Sequence, residues 1–181
     1  MDGHFVPNLT MGPDTIAAMV IETVTGTNGV LPPPVGYLKG LRELLDRHGI
    51  LLVCDEVMSG FGRTGAWFAV DHEGVTPDIM TVAKGITSGY VPLGACVMSD
   101  PISELLADIP IGSGMTYQSH PVGLAAAVAT MAIYETDDLI ARSASRGQYL
   151  LRGLHELQSR HASVGDVRGK GLMQGIELVG D

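Results

Sequence analysis

The chain has 181 residues, 45% of them apolar, which is enough for an ordinary domain with a sizeable core and too hydrophobic for a disordered segment. Acidic residues outnumber basic ones, 20 to 11, and the net charge is −9, a balance that argues against nucleic acid or an anionic membrane as partner. No apolar run reaches bilayer length, and the opening "MDGHFVPNL" lacks the basic start and apolar centre of a signal peptide.

Taken in chain order, "TIAAMVIE" (15–22) predicts a buried strand ending at Glu22. A loop dense in Gly, Thr and Pro follows, "TVTGTNGVLPPP". In "GYLKGLRELLDRHG" the residues Tyr37, Leu38, Leu41, Leu44 and Leu45 fall on one helical face. "ILLVCDE" predicts a second strand, "PDIMTVAKG" a third that ends at Lys84, and "PLGACVMSD" a fourth. "HPVGLAAAVATMAIYE" reads as an Ala-rich helix, a second helix runs from about Asp138 to His161, and "GLMQGIELV" closes the sequence as a strand without an evident partner. Cys54 and Cys96 both sit in apolar strand-like runs, so both are expected as buried thiols of a reducing cytosol.

Strand, helix, strand with apolar strands predicts an α/β fold around a mostly parallel sheet. In such sheets ligands bind outside the carboxyl ends of the strands. Three predicted strands end in ionisable residues, Glu22, Asp55 and Lys84, and a buried strand end is a poor place for a carboxylate unless something there needs negative charge. Singly, each has a plainer reading. A lysine before glycine is usually solvated, an aspartate often caps a turn, and Glu22 could pair with Arg63. The six histidines show no metal-ligand spacing, so no metal is expected, and no GxGxxG follows a strand and opens a helix, which excludes a nucleotide-binding Rossmann unit.

Two motifs together, "DEVMSGFGRTG" and "PDIMTVAKG", followed by "GMTYQSHPVGLAAA" and "VGDVRGKGLMQGIELV", resemble the class III aminotransferases, fold type I enzymes that use pyridoxal 5'-phosphate (PLP). The resemblance covers nearly the whole chain after residue 14 and is closest in look to ω-amino acid:pyruvate enzymes. It implies that Lys84 carries the cofactor as an internal aldimine (a Schiff base) and that Asp55 holds the proton on the pyridine nitrogen. Val57 would rest against one face of the ring, and Thr116, beside Tyr117, would reach across a homodimer interface to the partner's cofactor phosphate. A free lysine titrates at ~10.4, so burial is expected to lower Lys84 for it to act as a nucleophile near neutrality. Thr116 could equally cap the following helix. Arg63 and His72 are expected to be structural, and His120 to shape the turn that opens that helix.

The implied reaction moves an amino group from an ω-amino acid or amine to a keto acid such as pyruvate, in a cytoplasmic homodimer. A PLP decarboxylase or aminomutase would use the same Asp55 and Lys84, and a truncated, non-catalytic chain is a further alternative. Family members are more than twice this length, so the resemblance implies an internal fragment. It would hold the end of the PLP-binding large domain (1–135) and the connecting helix and first strand of a small C-terminal domain (136–181). The Gly/Ser phosphate cradle, the ring-stacking aromatic and the substrate-binding arginine of the family have no counterpart in it. Thr27 stands where members acting on ornithine or γ-aminobutyrate carry a second glutamate. Ser113, Gly114, Met115 and Ser119 also depart from the common pattern around "TY".

Overall fold

The computed structural model describes residues 12–112 and 114–180. In chain order these form strand β1 (Ala18–Glu22), helix α1 (Tyr37–His48), strands β2 (Leu51–Asp55), β3 (Ile79–Val82) and β4 (Ala95–Met98), and helix α2 (Asp100–Leu105). Helices α3 (Pro121–Thr136) and α4 (Leu139–Arg160) and strands β5 (Val164–Lys170) and β6 (Met173–Leu178) complete the order.

Four strands make one sheet in the order β1-β2-β3-β4. The first three are parallel, and β4 runs antiparallel to β3. Registration places Glu22 beside Asp55, and Asp55 beside Thr81, so the parallel strands finish along one edge of the sheet. Helix α1 lies over one face because Leu38, Leu41 and Leu45 recur on a single helical stripe. They pack on Leu52 and Cys54 of β2, with Met19, Ile21 and Met80 at the margin. Two left-handed glycines bracket α1, and the N–H of the second, Gly49, bonds back to the carbonyls of Leu45 and Asp46. Arg42 of α1 reaches Asp78 at the start of β3 at 2.6 Å, and the same carboxylate accepts the Leu52 N–H at 2.7 Å.

Several expectations need correction. The strand read over 15–22 is shorter, since Pro13–Thr15 form a 3-10 turn, and it is not buried on both faces: Val20 is 70% exposed. The third strand stops at Val82, and Lys84 opens a 3-10 turn of its own. Helix α2 was not expected; Ser99 precedes it and Pro101 sits in its first turn, where the missing N–H costs nothing. The closing strand has a partner after all: β5 and β6 form an antiparallel hairpin, a second sheet separate from the first. Cys54 is buried and its thiol is pushed up to about 11 by that burial, whereas Cys96, on edge strand β4, is exposed.

Glu56 is the buried acid of the "DE" pair. It is fully enclosed, and its Oε1 accepts the Val70 N–H at 2.9 Å. Its Oε2 accepts the Ala69 N–H at 3.0 Å and the Ser59 hydroxyl. The Glu56 N–H donates to Thr81 O at 2.9 Å, and its own carbonyl accepts the Gly60 N–H. One side chain thus joins the end of β2, the glycine-rich segment 59–65 and the 3-10 turn Ala69–Glu73.

Helix α4 meets that segment backbone to backbone. A Cβ at Gly147 would collide with the Gly171 carbonyl, and a Cβ at Gly171 would collide with the backbone of Thr64 and Gly65. The Leu172 N–H donates to Arg63 O at 3.0 Å, which locks the β5–β6 turn onto the segment.

Two outcomes follow for stability, both readable by urea unfolding. Glu56→Gln turns an amide N–H₂ toward the Ala69 or Val70 N–H, a donor facing a donor, and should cost about 3 kcal/mol. Gly147→Ala should cost roughly 2–3 kcal/mol through overpacking. Gly153→Ala on the same helix meets open space and should gain roughly 1 kcal/mol from helix propensity. Equal effects of the two glycine substitutions would show that the Gly147 contact does not limit packing.

Candidate functional site

Beyond the sheet edge lies an open cavity of ≈ 620 Å³. Lys84 and Val57 both line it, with Val30, Phe61, Tyr134 and Gln174 among the other walls. Asp55 stands at the adjacent strand end. Its Oδ1 accepts the Val57 N–H at 2.8 Å, and among the described residues its Oδ2 has no hydrogen-bond partner and neither oxygen an ion pair. The structure therefore brings Lys84 and Val57 to one cavity and ties Asp55 to its wall through Val57.

The backbone around this cavity is unusual. Six non-glycine residues among those described adopt a left-handed φ, and four of them, Val30, Phe61, Lys84 and Ser88, line this one cavity. Each such residue costs on the order of 1–3 kcal/mol and persists only where its surroundings dictate it. For Lys84 (φ 44°) those surroundings are visible. The Tyr134 hydroxyl donates to Gly85 O at 2.8 Å and lies 2.8 Å from Ser88 Oγ, and Phe61 packs so closely on Gly85 that a Cβ there would clash. Phe61 in turn stacks on Tyr134, with ring centroids 6.2 Å apart, and meets Phe68 edge-on at 5.4 Å. A rigid aromatic group thus fixes the turn that carries the lysine.

Other expectations divide. Thr116 does not line this cavity; it lies on the exposed stretch 114–120. Nor does it cap α3, since His120 does so, with its Nδ1 accepting the Val122 N–H at 3.3 Å. Glu22 does not pair with Arg63. Its Oε2 accepts the Gly26 N–H at 2.9 Å and shapes the loop that leads to Val30. Arg63 holds the glycine-rich segment through its carbonyl, while its side chain is exposed on the cavity wall. His72 is structural in the sense expected, with Nε2 3.1 Å from Thr64 Oγ1. The burial expected around the Lys84 amine is not supplied by the described residues, where that side chain is exposed. Sequence reasoning missed Val30, Tyr134 and Gln174. Tyr134 sits 49 positions from Gly85, and no local pattern signals such a contact.

The site suits PLP in three respects. Lys84 offers an amine for the aldehyde carbon. Asp55 offers a carboxylate oxygen without a partner among the described residues, suited to a protonated ring nitrogen. Val57 offers an apolar wall for a flat ring.

Comparison with known proteins agrees with this chemistry. The family model "Aminotransferase class-III" matches residues 6–181. An omega-aminotransferase of Caulobacter vibrioides is 48% identical over 169 residues, 90% of this chain and 38% of that protein. A solved (S)-enantioselective omega-transaminase from Thermomicrobium roseum superposes with a TM-score of 0.90 at 49% identity, over 94% of this chain and 38% of its own. A taurine:2-oxoglutarate aminotransferase from Bifidobacterium kashiwanohense, solved with PLP and glutamate, superposes with a TM-score of 0.90 at 43% identity, over 93% and 38%. The chain thus spans less than two-fifths of the length of the relatives it matches. With the match running through both strand-end motifs and the hairpin, the chain belongs to the class-III aminotransferase family and has the α/β architecture of its fold type I transaminase neighbours.

Proposed function

We propose that the chain is the part of a PLP-dependent aminotransferase that carries the cofactor lysine, and that the whole protein moves an amino group from an ω-amino acid or amine to a keto acid such as pyruvate. The observation that carries this reading is the shared cavity of Lys84 and Val57, with Asp55 bonded to the Val57 N–H at the adjoining strand end. When bound, PLP supplies an electron sink for the carbon that bears the substrate's amino group. Lys84 Nζ would hold the cofactor and, when free, would act as the general base that takes the proton from that carbon. Asp55 would hold a proton on the ring nitrogen, and Val57 would offer the ring an apolar wall. Tyr134, through Gly85 O, holds the turn that carries the lysine.

In this reading Thr116 serves a neighbouring protomer, whose cofactor phosphate its hydroxyl would bind in a homodimer. Its exposure, beside exposed Met115 and Tyr117, supports that placement. We place the domain division at 135/136, near the break between α3 and α4; the separateness of the hairpin from the four-stranded sheet supports it. Two free cysteines, one of them exposed, favour a cytoplasmic setting.

The test uses the 181-residue chain. PLP is added, the mixture is reduced with borohydride, and the modified lysine is mapped by mass spectrometry. A single pyridoxyl label on Lys84, absent from Lys84→Ala, is the expected result; even labelling of Lys39 and Lys170 would sink the assignment. Asp55→Asn should keep the Lys84 label but weaken PLP binding about tenfold or more, followed by the visible absorbance of the bound cofactor.

A further inference from the structure

A second cavity, of ≈ 280 Å³, lies against the first at the start of α4. It shares the walls Phe61, Arg63, Ser88, Tyr134 and Leu172 with the Lys84 cavity, so the two adjoin. Three arginines line it, Arg63, Arg142 and Arg146. Among the described residues none of their guanidinium groups has an ion pair or hydrogen bond. By contrast, Arg42 and Arg168 each bridge two carboxylates.

Arg142 and Arg146 are four residues apart on one helix, where like charges repel. Arg63 adds a third positive charge from a different segment. Such a grouping is unexpected in a chain whose net charge is −9. Asp137 and Asp138 precede the helix but are not walls of the cavity, and no carboxylate is among those walls. The guanidinium forks match an oxyanion in shape as well as charge. The volume suits one small acid group with a short tail, since a water takes ≈ 30 Å³ of liquid.

We propose that Arg63, Arg142 and Arg146 form an oxyanion subsite that adjoins the Lys84 cavity. It takes the acid group of a small carboxylate or sulfonate, or a free inorganic oxyanion of the same chemistry. Binding requires no cofactor and stands apart from the chemistry assigned to Lys84.

The test is a calorimetric titration of the 181-residue chain, free of PLP, in low salt. Inorganic sulfate and glutarate are the two probes, and Trp67, which packs edge-on against Tyr134 at 6.0 Å, gives a second fluorescence readout. Saturable binding of at least one probe is expected. It should weaken at least tenfold in Arg142→Gln/Arg146→Gln and as salt rises, and stay unchanged in Arg152→Gln, an arginine of α4 outside the cavity. Tighter binding of glutarate would assign the subsite to a carboxylate that extends toward Lys84; equal or tighter binding of sulfate would assign it to a free oxyanion. No saturable binding of either probe, or equal loss in Arg152→Gln, overturns the proposal. Should the double variant fail a thermal-unfolding check, Arg63→Gln alone carries the same expectation with a smaller loss. Because no PLP is present, the result is independent of the lysine-labelling test.

Discussion

The described structure hangs on one buried carboxyl group, that of Glu56. Glu56 is fully enclosed, and two backbone N–H groups and a hydroxyl converge on its two oxygens. A polar group enclosed in that position is tolerated only while its hydrogen-bond donors remain in place. Its demand for donors folds the chain after β2 back on itself, and the fold-back puts Phe61 and Val57 on the same cavity as Lys84. Asp55, one residue earlier, accepts only the Val57 N–H and keeps an oxygen without a partner among the described residues. Adjacent carboxylates on one strand end thus take opposite parts, one structural and one available, because successive side chains of a strand face opposite sides.

Much of this was legible from residues alone. The apolar runs gave β2 close to its observed limits and placed β3, which stops two residues short of Lys84, and the leucine stripe gave α1. The rule that ligands sit at carboxyl ends of parallel strands points to Glu22, Asp55 and Lys84 alike, and only the family resemblance separates the last two from Glu22, which shapes a loop. Strand direction was not legible. β4 is as apolar as its neighbours yet runs the other way, a matter of connection length and not of composition. β5 escaped notice because "VGDVRGK" mixes glycine with both charge signs and carries no two-residue alternation.

The site was legible only where its residues are close in sequence. Val57 lies two positions from Asp55, and a motif of that length shows both. Val30, Tyr134 and Gln174 come to the cavity from three distant segments. Their contribution depends on long-range packing: Arg168 of β5 donates to the carbonyls of Gly29 and Val30 and is itself held by Asp166 and Glu177. A clasp between positions 138 apart leaves no trace in a local pattern. The arginine cavity is similar, since Arg63 meets Arg142 and Arg146 only after α4 has packed glycine to glycine against the hairpin turn.

The left-handed residues around Lys84 bear on how this chain would respond to selection. Glycine adopts that backbone without strain, so a glycine at Val30 or Ser88 relieves a local conformational cost. A search guided by thermal tolerance alone would favour such changes if the strain relieved exceeded the packing lost. It would also strip side chains from the wall of the cavity and slacken the frame around the lysine. Endurance and the shape of the cavity therefore compete at these particular positions.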